Sequence, residues 1–307
     1  MAINTGATPR TAPLTIFADR AAEEPRQRVV ADPGHKPLGR RDLPIYLTLF
    51  ALSALFSFPF LWLVLTSLKA PDEIFSPGLI PDPFYPKNYA DVFRYAPVGR
   101  WLWNTAVVST LAVVTVVFSS ALIAYGFARL RFKGRDALFG LVIATYMLPG
   151  AVTLVPTFLI WRELGAVGTF FPLWASNIFG SAFYIFMLRQ FLFTIPQDLV
   201  DAARVDGASY FGIWWRIMLP LIRPALVAVA VFEFQAKWND FMVPLIYLNN
   251  PSQYTMSLGL GMFKPDYDTQ WALWMAASVV FTLPMVLLFF VAQRFFIDGV
   301  ATSGMKG

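Results

Sequence analysis

Three charged residues stand inside an otherwise apolar run. They are Glu233, Lys237 and Asp240, within "PALVAVAVFEFQAKWNDFMVPLIYL", residues 224–248. Spaced four and then three apart, they fall on one face of a helix. Glu233 lies nine residues beyond Pro224, about 13 Å along a helix that rises about 1.5 Å per residue. That depth is close to the middle of a hydrocarbon layer about 30 Å thick. A lone charge there costs about 2.5 kcal/mol or more, so these side chains must meet one another, the protein interior or water. Two chemistries are open to them. They form a self-compensating string of ion pairs that locks helix packing, or they line a path for a polar solute. In the second case Glu233, Lys237, Trp238, Asn239 and Asp240 are its walls, with the Trp238 ring as a platform and Asn239 and Asp240 as hydrogen-bond partners.

Other chemistry is excluded by composition. The chain has no cysteine, and its one histidine is His35, in a polar stretch near the start. No disulfide, thiolate metal site or histidine-based metal or acid-base site can be built, and no nucleophile–base constellation is present, so no catalytic residue is assigned. No Gly-Lys dipeptide occurs anywhere, which excludes a phosphate-binding loop of the Gly-Lys-Ser/Thr kind.

The elements that must position the three charges are membrane helices. Of the 307 residues 57% are hydrophobic and only 14% charged, against about 25% charged in soluble domains. Uncharged windows cover residues 43–68, 101–128, 137–161, 164–188 and 269–293, each long enough for a helical span of about 20 residues. With 224–248 they predict six. Continuous apolar runs without short alternation exclude a barrel, so the expected fold class is an all-α membrane protein with six transmembrane helices. Pro59, Pro149, Pro156, Pro244 and Pro284 lie inside these runs, as hinges or as prolines that membrane helices tolerate. No internal repeat is visible, which weighs against inverted-repeat transporters.

Residues 1–42 show no apolar period and read as a disordered arm. They contain no short apolar stretch with a cleavage site, so the first span is expected to be an uncleaved anchor. Residues 69–100 carry six prolines and read as an ordered loop too broken for a long helix. Positive charge is unequally shared. The arm holds seven Lys and Arg, the turn at 129–135 four, the segment around 189–223 four, and the C-terminal tail (301–307 with Arg294) two, so that seventeen of the 24 fall on one side of a six-span topology. The basic side is cytoplasmic by the positive-inside rule, which places both termini and the 196–224 loop there. The same distribution explains the net charge of +5 without nucleic acid.

That loop, "DLVDAARVDGASYFGIWWRIMLP", interrupts the grease. Thr194 is the expected cap of a two-turn helix with Pro196 and Asp198 in its first turn. Ala202 and Ala203 leave one side of that helix nearly bare. Asp206-Gly207 ends it, since Gly accepts a left-handed stop. A second short helix, capped by Ser209 and apolar around most of its circumference, then tucks beneath the spans. The whole is a helix-turn-helix elbow, or else a plain amphipathic connection.

Asp201-Ala202-Ala203, two residues, Asp206-Gly207-Ala208, eight residues, Ile217, one residue and Leu219-Pro220 resembles the EAA loop of ABC importer permeases, Glu-Ala-Ala-x-x-Asp-Gly-Ala-x8-Ile-x-Leu-Pro. Asp201 stands where that pattern has Glu, one methylene longer. "TSLKAPDEIF", "KWNDFMVPL" and "QRFFIDGVATSGMKG" are similar to the carbohydrate branch, and to its smaller membrane subunit of maltose or glycerol-phosphate type. The resemblance covers about residues 43–307. It implies a type I importer permease fold over 43–300 in a bacterial plasma membrane, importing a sugar or sugar derivative. It implies that Asp201, Ala202, Ala203, Asp206, Gly207 and Ala208 couple to an ATPase dimer, which alone binds ATP and Mg²⁺; this chain is expected to bind no cofactor or metal. A second homologous permease subunit and an extracytoplasmic substrate-binding protein are the other implied partners. The outward loop 249–270 would touch the binding protein through Tyr254, Gly259 and Gly261, and Trp238 would stack on a sugar ring. The alternatives are a permease of this kind for a polyamine or amino acid, and an ion-coupled carrier using Glu233 or Asp240.

Overall fold

The computed structural model describes residues 42–263 and 270–303, and all regular elements among them are helical. The arm at 1–41 and the last residues, 304–307, lie outside the described residues. The chain divides into two compact units, Met1–Phe56 and Ser57–Gly307. The described part of the first is residues 42–56, the opening turns of α1 (Leu43–Ser67). The second unit holds the remainder of α1 and α2 (Asn88–Tyr95), α3 (Val98–Arg129), α4 (Arg135–Tyr146), α5 (Gly150–Glu163), α6 (Phe171–Ala175) and α7 (Ala182–Phe193). It continues with α8 (Asp198–Val205), α9 (Tyr210–Ile213), a π turn (Trp214–Met218), α10 (Leu219–Leu221), α11 (Arg223–Trp238), α12 (Met242–Tyr247), α13 (Met256–Leu260) and α14 (Trp271–Ser303).

Helix α3 organises this unit. Its 32 residues span about 48 Å at about 1.5 Å per residue, more than the hydrocarbon layer. Its buried positions recur every three or four residues, from Trp101 and Thr105 through Val108, Ala112, Val116, Ser120 and Ala124 to Ala128, which is the period of one helix face. Much of that face is Ala and Ser, so neighbouring backbones can approach closely, as membrane helix packing requires. Leu188 and Leu192 of α7 and Ala225 and Val229 of α11 fill the core against it.

Six uninterrupted spans are not what forms. By length and composition three helical segments can cross a membrane, Leu43–Ser67, Val98–Arg129 and Trp271–Gln293. The pairs Arg135–Tyr146 with Gly150–Glu163 and Tyr210–Leu221 with Arg223–Trp238 bend by 97° and 79°, and α7 is a short apolar helix. The causes are local. Pro149 lacks the N–H that would continue α4 and is extended, with ψ 133°. Pro220 and Pro224 flank the second bend. The run at 164–188 breaks before α7 at Gly180, whose φ of +91° suits glycine. The run at 224–248 breaks at Asn239–Asp240. Pro59, Pro156 and Pro284, by contrast, sit inside continuous helices. Helix α14 also passes through residue 300, where the membrane domain was expected to end.

The proline-rich segment after α1 is ordered by buried polar groups. Lys69 is 3% exposed and donates to the carbonyls of Ser76 and Gly78 and to the Ser76 hydroxyl. Asn88 donates to the carbonyls of Ser67 and Lys69. These bonds satisfy a backbone that forms only one short helix, α2.

Gly180 joins the α6–α7 break to α3. A Cβ built there would lie 3.1 Å from Ile185, 3.2 Å from Ile123 and 3.3 Å from the Ser120 hydroxyl, while one at Gly165 would meet nothing. Gly180→Ala should therefore lower the melting temperature in detergent more than Gly165→Ala. Both carry backbone strain of about 1 kcal/mol, and only the former adds overpacking of about 1–3 kcal/mol.

Candidate functional site

The elbow is built from two short arms. Helix α8 has Asp198 and Asp201 in its first turn and Arg204 in its last, charges that complement the helix dipole. Val200 is its one buried residue and packs into the core beside α7. The helix closes with the Ala208 N–H donating to the Ala203 carbonyl and the Gly207 N–H to the Arg204 carbonyl, both at 3.0 Å. With Gly207 at φ +82°, this is a Schellman stop. The Ser209 hydroxyl accepts from the Gly212 N–H at 3.1 Å and caps the second arm. That arm widens into the π turn at Trp214–Met218, just before Pro220, which has no N–H for the carbonyl four residues back. Ile213, Trp214 and Met218 are fully buried.

Apart from Leu199 and Val205, what α8 leaves outside is small or charged. Asp201, Ala202, Asp206 and Gly207 are exposed, and Ala203 and Ala208 are half-buried. Val205 is 88% exposed, an apolar tip beside the stop. One expectation fails. Thr194 does not cap α8, because its hydroxyl donates back to the Phe191 carbonyl at the end of α7, and α8 begins only after the turn at Pro196.

Both arms are fastened to α3. The Arg129 guanidinium donates to the Gln197 side-chain oxygen at 2.8 Å, the Ile195 carbonyl at 2.7 Å and the Leu192 carbonyl. Gln197 in turn donates to Oδ1 of Asp201 at 3.2 Å. One turn earlier on α3 the Tyr125 hydroxyl donates to the Tyr210 carbonyl at 3.1 Å, and Arg204 lies over the Tyr210 ring at 4.1 Å, joining the arms. The sequence alone does not single out Arg129, Gln197, Tyr125 or Tyr210. Arg129 counts there only as a basic loop charge, although it ends the longest uncharged run.

The buried charges of α11 do not form the ion-pair string. Glu233 is 3% exposed. It accepts from the Asn177 amide at 3.4 Å, and Tyr184 lies near enough to interact with it. Asn177 lies in the break before α7, so the carboxylate binds α11 to that unwound stretch. Lys237 is half-buried, and no ion pair includes it among the described residues. Asp240 caps α12, its Oδ1 accepting from the Val243 N–H at 3.2 Å, and its carbonyl accepts from the Ser257 hydroxyl. Asn239 turns its amide back onto the Gln235 carbonyl.

Trp238 is 2% exposed. Its indole N–H donates to the Phe281 carbonyl, and its ring stacks on Phe234 and Phe281 at 5.2 and 5.7 Å. Neither geometry nor burial leaves it as an open platform, so the expected sugar-stacking role is corrected to one of packing.

The loop after α12 docks on the other end of α3. Trp101 donates to the Pro251 carbonyl, Asn104 to those of Ser252 and Tyr254, and the Met256 N–H to Thr105 Oγ1. Gly259 is buried, and a Cβ there would stand 2.2 Å from the Trp101 ring. The glycine thus serves packing and is not placed to touch another protein. Tyr254 is half-buried in the same packing, whereas Gly261 is exposed.

A long small-faced helix fastened at both ends, broken spans and an elbow beneath them describe a membrane transport subunit. Residues 116–301 match the family of binding-protein-dependent transport system inner membrane components, and the chain belongs to it. It is a transport component and not an enzyme. The chain is 35% identical over 275 residues to the arabinooligosaccharides transport system permease protein AraQ of Bacillus subtilis, covering 86% of this chain and 96% of that one. It is 31% identical over 276 residues to the osmoprotective compounds uptake permease protein GgtD of Synechocystis, covering 87% and 93%. It is also 30% identical over 267 residues to the lactose transport system permease protein LacG of Rhizobium radiobacter, covering 86% and 97%. The fold is shared with a chain of a bacterial ABC transporter involved in the import of the polysaccharide alginate. The TM-score is 0.76 at 20% identity, covering 84% of this chain and 99% of that one.

The capping role of Asp240 separates two side-chain properties. Asp240→Asn keeps the acceptor and should leave thermal stability and uptake near those of the parent. Asp240→Ala loses the cap, worth about 1 kcal/mol, and should lower the melting temperature in detergent.

Proposed function

We propose that this chain is the permease subunit of an ATP-driven, binding-protein-dependent importer of a sugar or oligosaccharide, and that α8 is the surface its ATPase pushes. The observation that carries the reading is the elbow itself. An exposed helix with small side chains and an apolar tip is closed by a Schellman stop and joined to a second arm anchored by the buried Ile213, Trp214 and Met218. A push applied at Ala202 or Val205 therefore meets a stiff body, and close contact is open to a partner at Ala202, Ala203, Gly207 and Ala208. Asp201 and Asp206 present carboxylates for basic groups of that partner.

In this reading residues 43–300 form the translocating domain in a bacterial plasma membrane. The elbow and both termini face the cytoplasm, supported by the excess of Lys and Arg on that side. ATP and Mg²⁺ belong to the ATPase dimer, a second homologous permease completes the pathway, and an extracytoplasmic binding protein delivers the solute. The loop docked on Trp101, Asn104 and Thr105 offers that protein Gly261. Lys237 remains the candidate for a pathway group of this chain, because it is half-buried and outside any ion pair among the described residues. The sugar class is supported by relatives named for arabinooligosaccharides and lactose. A second reading, uptake of osmoprotective compounds, is favoured by the relative named for them at 31% identity.

The test is Gly207→Asp in the complete reconstituted complex. Asp tolerates the left-handed region better than most residues, and among the described residues nothing beyond the chain neighbours lies within 4 Å of the added Cβ. Membrane insertion and melting temperature should therefore change little. ATP-driven uptake should be lost, because the side chain stands on the surface that meets the ATPase. Normal uptake would remove α8 from the coupling role.

A further inference from the structure

We infer that Arg129, acting through Gln197, is a positioning residue that fixes the Asp201 carboxylate for its contact with the ATPase; this rests on the reading of α8 given above. Arg129 is 9% exposed, and no carboxylate pairs with it among the described residues. Its guanidinium instead spreads over three acceptors in the turn between α7 and α8, the carbonyls of Leu192 and Ile195 and the side-chain oxygen of Gln197. The Leu192 carbonyl lies in the last turn of α7 and that of Ile195 just beyond it, at a helix end where a cation is favoured by the dipole. A planar fork of donors is suited to hold several acceptors at once.

The bond to Gln197 has a directional consequence. With its oxygen committed to Arg129, the amide must present its nitrogen on the other side, and that nitrogen donates to Oδ1 of Asp201, four residues on. Gln197 therefore cannot flip without breaking both charge-assisted bonds. Asp201 is exposed, and Oδ2 has no hydrogen bond among the described residues, so one oxygen is held and the other is free for a partner. A Glu in its place would carry one more rotatable bond. The shorter Asp201 reaches less far, and the chain compensates by fixing its direction from α3. The same two turns of α3 hold the second arm through Tyr125 and Tyr210, so a load on Asp201 is delivered to α3 through hydrogen bonds to a charged group.

Arg129→Ala would strip three acceptors at once and mix folding with function. Gln197→Glu isolates the relay. The introduced carboxylate still accepts from Arg129, now as an ion pair, but it cannot donate to Asp201 and repels it. The variant is measured in the full complex in proteoliposomes, with uptake, ATP hydrolysed per solute moved and melting temperature as readouts and Gly207→Asp as control. Positioning predicts an unlowered melting temperature, uptake down about tenfold, as loss of one hydrogen bond to a charged group allows, and more ATP hydrolysed per solute. Undiminished uptake with an unchanged ratio overturns the inference. Uptake that falls only in step with the melting temperature also overturns it, leaving Arg129 a structural staple. Normal uptake by Gly207→Asp, by contrast, removes the coupling role of α8 itself.

Discussion

The close approach of α7 and α11 to the Ala- and Ser-rich face of α3 is the contact from which the rest of the second unit follows. In hydrocarbon there is no hydrophobic drive to bring helices together, so association rests on packing and on buried polar bonds. Ala112, Ser120, Ala121, Ala124 and Ala128 supply the first, since short side chains let leucines of α7 and alanine and valine of α11 seat against the α3 backbone. The ends of α3 supply the second. Arg129 and Tyr125 hold the elbow, and Trp101, Asn104 and Thr105 hold the loop on the opposite end. A single continuous helix thus links the elbow to the loop docked on its opposite end.

Broken spans are the second consequence. Unwound backbone at membrane depth is tolerated only where protein or water satisfies it, and the breaks before α7 and at Asn239–Asp240 carry their own polar partners. Ser120 accepts from the Ser181 N–H beside Gly180, Asn177 reaches Glu233, and Asp240 and Asn239 close the facing ends of α12 and α11. Glu233 is therefore more than a charge on a helix face, because it bridges α11 to the break before α7. The breaks fall at Pro149, Gly180, Pro220 and Asp240, between continuous helices.

Much of this was legible in the chain, and the failures share a cause. Apolar runs identified the membrane class, and Asp206-Gly207 and Ser209 marked the stop and cap of the elbow, because such signals are local. The ion-pair string is one of two readings that spacing on one helix leaves open, and spacing cannot see Asn177 and Tyr184 arriving from another part of the chain. Trp238 read as a platform and Gly259 as a contact for the same reason: whether a ring face or a glycine is free depends on Phe281 and Trp101, which are 43 and 158 positions away. Thr194 was assigned forward to α8 when it served backward on α7, an ambiguity of any capping residue between two helices. Arg129, Asn104 and Asn177 did leave a signal, being polar residues in or at the edge of apolar runs, and buried polar groups of that kind must find partners.

The absence of cysteine makes the central claim directly measurable. Ala202→Cys places a single thiol on the exposed side of α8, to be probed with a membrane-impermeant maleimide in inside-out and right-side-out vesicles, with and without the ATPase subunit. The account predicts labelling only in inside-out vesicles and strong protection when the ATPase is bound. Labelling in right-side-out vesicles, or labelling indifferent to the ATPase, would contradict it.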